Sequence, residues 1–202
     1  MKLLVAIVVA LLAVGCNQKD DEKSEDAFGT LTDSRDGKTY KTVKIGNAEW
    51  MAENLNFNAL GSYCYDNDER NCNKFGRLYK TANAATFEAC PAGWHVPDFA
   101  EWEELFLAVG IKKECESFGY VDEPEDACDY LVWKGALDSL NKRGFGVLMA
   151  NGWGNDEQAD FVVNKRKPAM ENAVCLFANR GYASDYCSQD PIGAYYVRCR
   201  KD

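Results

Sequence analysis

Nine cysteines in a chain of 202 residues constrain this sequence more than any other feature, because their use depends on the compartment the chain reaches. The start of the chain answers that question. Lys2 supplies a short basic start, Leu3 to Val14 form an apolar run too short to span a bilayer, and Gly15-Cys16 follows. Small residues directly before a cysteine resemble a bacterial lipoprotein signal. Residues 1–15 are therefore expected to be a leader and Cys16 the lipidated mature N-terminus, although Ala13 stands where that signal usually has Leu. An ordinary secretory leader with a spare thiol is the alternative.

With Cys16 set aside, Cys64, Cys72, Cys90, Cys115, Cys128, Cys175, Cys187 and Cys199 remain. An oxidising compartment makes them disulfides, which support a loop-rich domain by restricting the unfolded chain. Spacing does not determine connectivity. The preferred set joins Cys64 to Cys72, Cys115 to Cys128 and Cys175 to Cys187, leaving Cys90 to reach Cys199. Zinc is the competing use. The chain has no Cys-x-x-Cys and a single histidine, His95, so neither a metal nor a cofactor is expected.

Residues 16–27 are charged and without apolar periodicity, so they read as a tether, and residues 28–202 as one domain. A formal charge of −9 argues against nucleic acid, which needs clustered Lys and Arg. The expected partners are the membrane, through a lipid on Cys16, and a polysaccharide or surface protein. The expected location is the cell envelope, as an outer-membrane lipoprotein.

Three strands open the domain, around Gly29–Asp33, Thr39–Ile45 and Ala48–Met51, with Asp36-Gly37 as a hairpin signal. Cys64 to Cys72 enclose an acidic loop. Its Asp66, Asn67, Asp68 and Glu69 are hard oxygen donors that suggest calcium, but the loop lacks the length and distal glutamate of an EF-hand, and a solvated turn is favoured. A first helix is expected over Lys80–Glu88. A second follows Pro97, where Asp98 and Glu101 form a capping box, Phe99, Trp102, Leu105, Phe106 and Val109 form an apolar stripe, and Gly110 supplies the stop. A third is expected over Asp129–Lys142. Strands are expected over Phe145–Trp153, Asp160–Val163, Ala173–Ala178 and Ala194–Arg200.

Taken in order, several segments resemble the Fibrobacter succinogenes major paralogous domain. They are Asp36-Gly37-Lys38-Thr39-Tyr40 with Gly46, Trp50-Met51-Ala52-Glu53-Asn54-Leu55-Asn56, Tyr63-Cys64-Tyr65, Gly76-Arg77-Leu78-Tyr79, Cys90-Pro91-Ala92-Gly93-Trp94-His95-Val96-Pro97 with Glu101-Trp102, and Val197-Arg198-Cys199. That family is similar to C-type-lectin-like folds. The resemblance implies an α+β domain with two or three helices beside small antiparallel sheets, terminal strands close together, and closure by Cys90 and Cys199. The second half departs from the pattern at Val174 to Gly181 and in the segment from Cys115 to Cys128.

No catalytic constellation is visible, so an enzyme is not expected. His95 lies in a turn without a nucleophile, and Glu101, Glu103 and Glu104 are explained by capping and a solvated helix face. The segment Gly93-Trp94-His95-Val96-Pro97 with Glu101-Trp102 is also similar to one in formylglycine-generating-type domains, a resemblance that implies a reactive cysteine pair late in the domain, where Cys175 and Cys187 read more simply as a disulfide. A lectin-like binding module is the leading function, with a structural envelope component as the alternative. The candidate binding residues are Trp153, Asn155 and Asp156 in a glycine-flanked loop, and Arg180, Tyr182 and Tyr186 in a second patch.

Overall fold

The computed structural model describes residues 28–80, 86, 88–116, 130–148, 158–162, 173–177, 182–184 and 193–202. The elements, in chain order, begin with β1 (Phe28–Thr32), β2 (Thr39–Ile45), β3 (Ala48–Met51), β4 (Ser62–Tyr63), α1 (Glu69–Phe75), β5 (Leu78–Lys80), β6 (Trp94–His95) and α2 (Phe99–Ala108). They continue with β7 (Glu114–Glu116), β8 (Tyr130–Lys134), α3 (Ala136–Lys142), β9 (Gln158–Val162), β10 (Ala173–Phe177), β11 (Tyr182–Ser184), β12 (Ala194–Tyr196) and β13 (Arg200–Lys201). The architecture is α+β and disulfide-stabilised.

One sheet has the order β1-β2-β3-β13-β6 and brings the opening strands of the domain to its closing strand. The other has the order β4-β5-β12-β9-β10-β11-β8-β7. All pairings are antiparallel except that of β12 with β9. The chain links the two sheets directly, running from β12 through the buried Val197, Arg198 and Cys199 into β13.

The three opening strands form where the alternating residues suggest. β2 buries Tyr40, Thr42, Val43 and Ile45, so its pattern breaks strict alternation, because the Thr42 hydroxyl is taken inside by a hydrogen bond to Glu49 Oε1 (2.8 Å). The α2 capping box is formed in full. Asp98 accepts from the Glu101 amide (3.0 Å), and Glu101 accepts from the Asp98 amide (2.8 Å). The stripe of α2 then drives Trp102, Leu105 and Phe106 into the core. Trp102 stands at the centre of an aromatic cluster, with ring centroids 5.3 Å from Trp50, 5.2 Å from Phe161, 5.9 Å from Phe145 and 6.1 Å from Phe106.

Several expectations are corrected. The helix expected over Lys80–Glu88 does not begin at Lys80, which ends β5 paired to Ala194; residues 81–85 and 87 lie outside the described residues. The third helix is shorter than expected. Tyr130–Lys134 is β8, as its aromatic and β-branched residues favour, and Gly135, at φ 78°, breaks the chain before α3. Phe145 to Leu148 is not a strand, because Arg198 takes the carbonyls of Phe145 and Gly146 while the Val147 amide donates to Asn141 Oδ1 (2.8 Å). Among the described residues no helix is long and apolar enough to cross a membrane.

Candidate functional site

All six candidate binding residues fall beyond what the structure describes at side-chain level. Trp153, Asn155, Asp156, Arg180 and Tyr186 lie outside the described residues, and only the backbone of Tyr182 is placed, at the start of β11. Cys16, residues 1–15 and the tether also lie outside. Two expected disulfides are formed, Cys64 to Cys72 and Cys90 to Cys199. Cys115 and Cys175 are disulfide-bonded as well, and their expected partners Cys128 and Cys187 lie outside the described residues.

The acidic segment inside Cys64 and Cys72 is not a plain loop. It folds as a tight turn at Tyr65–Asn67 and then as α1, a helix that sequence reasoning missed. Asp68 is its N-cap, accepting from the Arg70 amide (2.9 Å) and pairing with the Arg70 guanidinium (2.6 Å). Glu69 lies 3.6 Å from Arg77. The sulfurs of Cys64 and Cys72 come close to the Glu69 carboxylate, but they are bonded to each other and offer no thiolate to a metal.

The disulfide fixes α1 beside a concave site of mixed chemistry, a cleft of about 250 Å³. Its walls come from Lys38–Tyr40 at the start of β2, the segment Glu53–Asn56, the end of α1 at Asn73–Gly76, and Gly146 with Leu148. The floor is held by one residue. Asn54 donates to the Phe75 carbonyl (2.8 Å), while its Oδ1 accepts from Arg198 Nη2 (2.6 Å) and Nε (3.0 Å). Arg198 is 1% exposed and also donates to the Phe145 and Gly146 carbonyls, so it ties two opposite walls together. Its guanidinium lies over the Phe145 ring at 4.6 Å. Burial lowers its pKa to about 9, opposed by the charge of Glu53, and leaves it a cation at neutral pH.

Two glycines permit these walls to meet. A Cβ on Gly76 would stand 2.7 Å from Asn54 Cβ, and one on Gly146 would stand 2.5 Å from the Ala52 carbonyl oxygen; both have positive φ. Tyr40 is buried at the cleft edge, and its hydroxyl accepts from the Asn56 amide (3.1 Å). Burial outweighs that hydrogen bond and pushes the phenol up to about 12, so it stays neutral. Asn73 and Lys74 are exposed, Phe75 is half-buried, and Lys74 Nζ stands 4.5 Å over the Phe75 ring. The cleft therefore presents amides, a ring and cations together. Leu148, 45% exposed at its edge, is followed within a few residues by Trp153 in sequence.

A second groove, of about 530 Å³, lies between the β2–β3 turn and α2. Its carboxylates are already matched. Arg200 pairs with Glu101 and, at 3.2 Å, with Glu104. The register that sets Arg200 opposite His95 also brings in the histidine: its Nε2 meets Glu101 Oε1 (2.9 Å) and its Nδ1 meets Asp202 Oδ1 (2.7 Å). Burial disfavours the imidazolium, but the Asp202 and Glu101 carboxylates outweigh it and raise the pKa of His95. Glu101 thus does more than cap α2, and Glu103 is not simply solvated, since it pairs with Lys113 at 2.7 Å.

Sequence reasoning missed Asn54, Asn73, Lys74 and Arg198. The available signal was Arg198 itself, a lone charge between the apolar run Ala194–Val197 and Cys199.

A search of curated proteins and of solved structures finds no match to this chain. The sequence description of the Fibrobacter succinogenes major domain, by contrast, matches residues 43–167. That span takes in the end of β2, the Asn54 segment, α1, the Cys90 turn, α2 and α3, and with them three of the four cleft walls, all but Lys38–Tyr40. The chain belongs to the Fibrobacter succinogenes major domain family.

Proposed function

We propose that this chain is an exported, lipid-anchored protein of the cell envelope whose domain is a lectin-like binding module for polysaccharide. The observation that carries this reading is the cleft at the end of α1, where Asn73 and Lys74 are exposed beside Phe75 and Asn54 fixes the floor. Sugars are bound by this combination, with a ring face against the pyranose and amides against its hydroxyls. The leader ending at Gly15-Cys16 and the charged residues that follow support display of the domain from a lipid anchor in the outer membrane.

Pull-down of the purified protein without residues 1–15 on a panel of insoluble polysaccharides tests the binding. Retention on at least one, lost with Asn73→Ala while the melting temperature is unchanged, is the expected result. Retention on none would sink the reading. Labelling of Cys16 with a lipid precursor and protease shaving of intact cells test the anchor and its exposure. A surface protein as ligand is a second reading, favoured by Leu107, which is 53% exposed beside the α2 groove. It predicts loss of binding on Leu107→Glu instead.

A further inference from the structure

The cleft can be assigned a ligand class from its charge. The chain as a whole is acidic, at −9, yet cations dominate around this site. Lys38 and Lys74 line it, and Arg198 lies directly behind it, hydrogen-bonded to the lining residues Asn54 and Gly146. Among the described residues the one lining carboxylate is Glu53, whose Oε2 accepts from the Lys41 amide (2.7 Å) and whose charge offsets part of that of Arg198, leaving Lys38 and Lys74 in excess on the lining. Lys38 Nζ is partly accounted for, by Asp36 at 3.3 Å and by the Asn56 carbonyl in the cleft wall at 2.5 Å. Lys74 contacts the Phe75 ring, and among the described residues Arg198 donates to an amide oxygen and to carbonyls.

The position of Arg198 matters more than the count. A charge buried in protein is screened far less than one in solvent, and a concave wall focuses its field into the cleft. The guanidinium is also immobile, so its field is present before a ligand arrives. Lys74 is exposed and can reach a bound group without rearranging the floor, and Lys38 is held at the cleft wall by its bond to the Asn56 carbonyl. The α2 groove offers a contrast, because there Arg200 is spent on Glu101 and Glu104.

We propose that the cleft takes an acidic sugar of the uronic-acid class, its carboxylate facing Lys74 and Lys38 and its hydroxyls facing Asn73 and the cleft edge. This rests on the cleft being the polysaccharide site and adds the charge of the ligand.

Affinity electrophoresis of the purified protein without residues 1–15 in gels containing polygalacturonate, its methyl ester or xylan tests the assignment. The expected result is retardation by polygalacturonate that is lost in the methyl ester, where the same backbone has no charge. The Lys38→Gln/Lys74→Gln variant should be retarded roughly fivefold less or weaker still, and an unchanged melting temperature shows that it is folded. Equal retardation by the methyl ester, or an unaffected double variant, would overturn the assignment. Retardation by xylan alone would overturn it while leaving a polysaccharide-binding module in place. No retardation in any gel would remove both.

Discussion

Two residues, Arg198 and His95, show how much a single side chain decides here. Arg198 donates into Asn54 and into the carbonyls of Met51, Phe145 and Gly146, so its loss strands several buried acceptors at once. Each stranded acceptor costs about 1–3 kcal/mol, and Arg198→Leu should therefore lower urea stability by at least about 3 kcal/mol. His95 makes a prediction of opposite character, one of pH. Its pKa is raised in the folded state by Asp202 and Glu101. That stabilisation is fully present below the ordinary histidine value and is lost as pH rises through the raised one. The melting temperature should fall across that interval relative to a His95→Gln variant, and parallel curves for the two proteins would contradict the pairing. Sequence placed His95 in a turn beside Trp94 and Pro97, whereas it lies in the short strand β6, paired to Arg200. Its partners were not legible, because Asp202 lies far along the chain and joins it only through the β6–β13 register.

At the scale of elements, local chemistry was readable where it acts within one turn. Asp98 and Glu101 announce the start of α2, and Asp98→Ala should cost about 1 kcal/mol by removing the cap. α1 was hidden because its seven residues, Glu69–Phe75, are mostly polar and carry no apolar stripe; it is held by Cys72 and the Asp68 cap. The overlong third helix failed for the reverse reason. Trp133 and Leu137 are spaced as on one helix face, but Trp133 belongs to β8 and the helix starts after Gly135. The Phe145 segment illustrates tertiary override, since Arg198 takes the carbonyls a strand would need. Gly146→Ala tests how tightly that wall is set. The added methyl would meet the Ala52 carbonyl in a conformation that disfavours any Cβ, so stability should fall by more than about 1 kcal/mol, as read by thermal melting.

Over the whole molecule, the sheet order joins the beginning of the domain to its end. β13 pairs with both β3 and β6, and Cys90 to Cys199 locks that closure across 109 residues. Replacing both cysteines by Ala should cost about 2–5 kcal/mol in urea denaturation. A loss under 1 kcal/mol would mean that the unfolded chain gains little from the missing link. Fold class and closure were legible because they rest on cysteines, caps and family segments spread along the chain. The cleft was not, because its walls come from four separate stretches and its floor from Asn54 and Arg198, 144 residues apart. Sugar binding in this cleft, as proposed, is tested most directly by amide chemical-shift mapping of the protein as an oligosaccharide is titrated in. Shifts grouped at Thr39, Asn56, Asn73–Gly76 and Gly146 are predicted, and shifts grouped at Gly46–Ala48 and α2 instead, or none in the cleft, would contradict it.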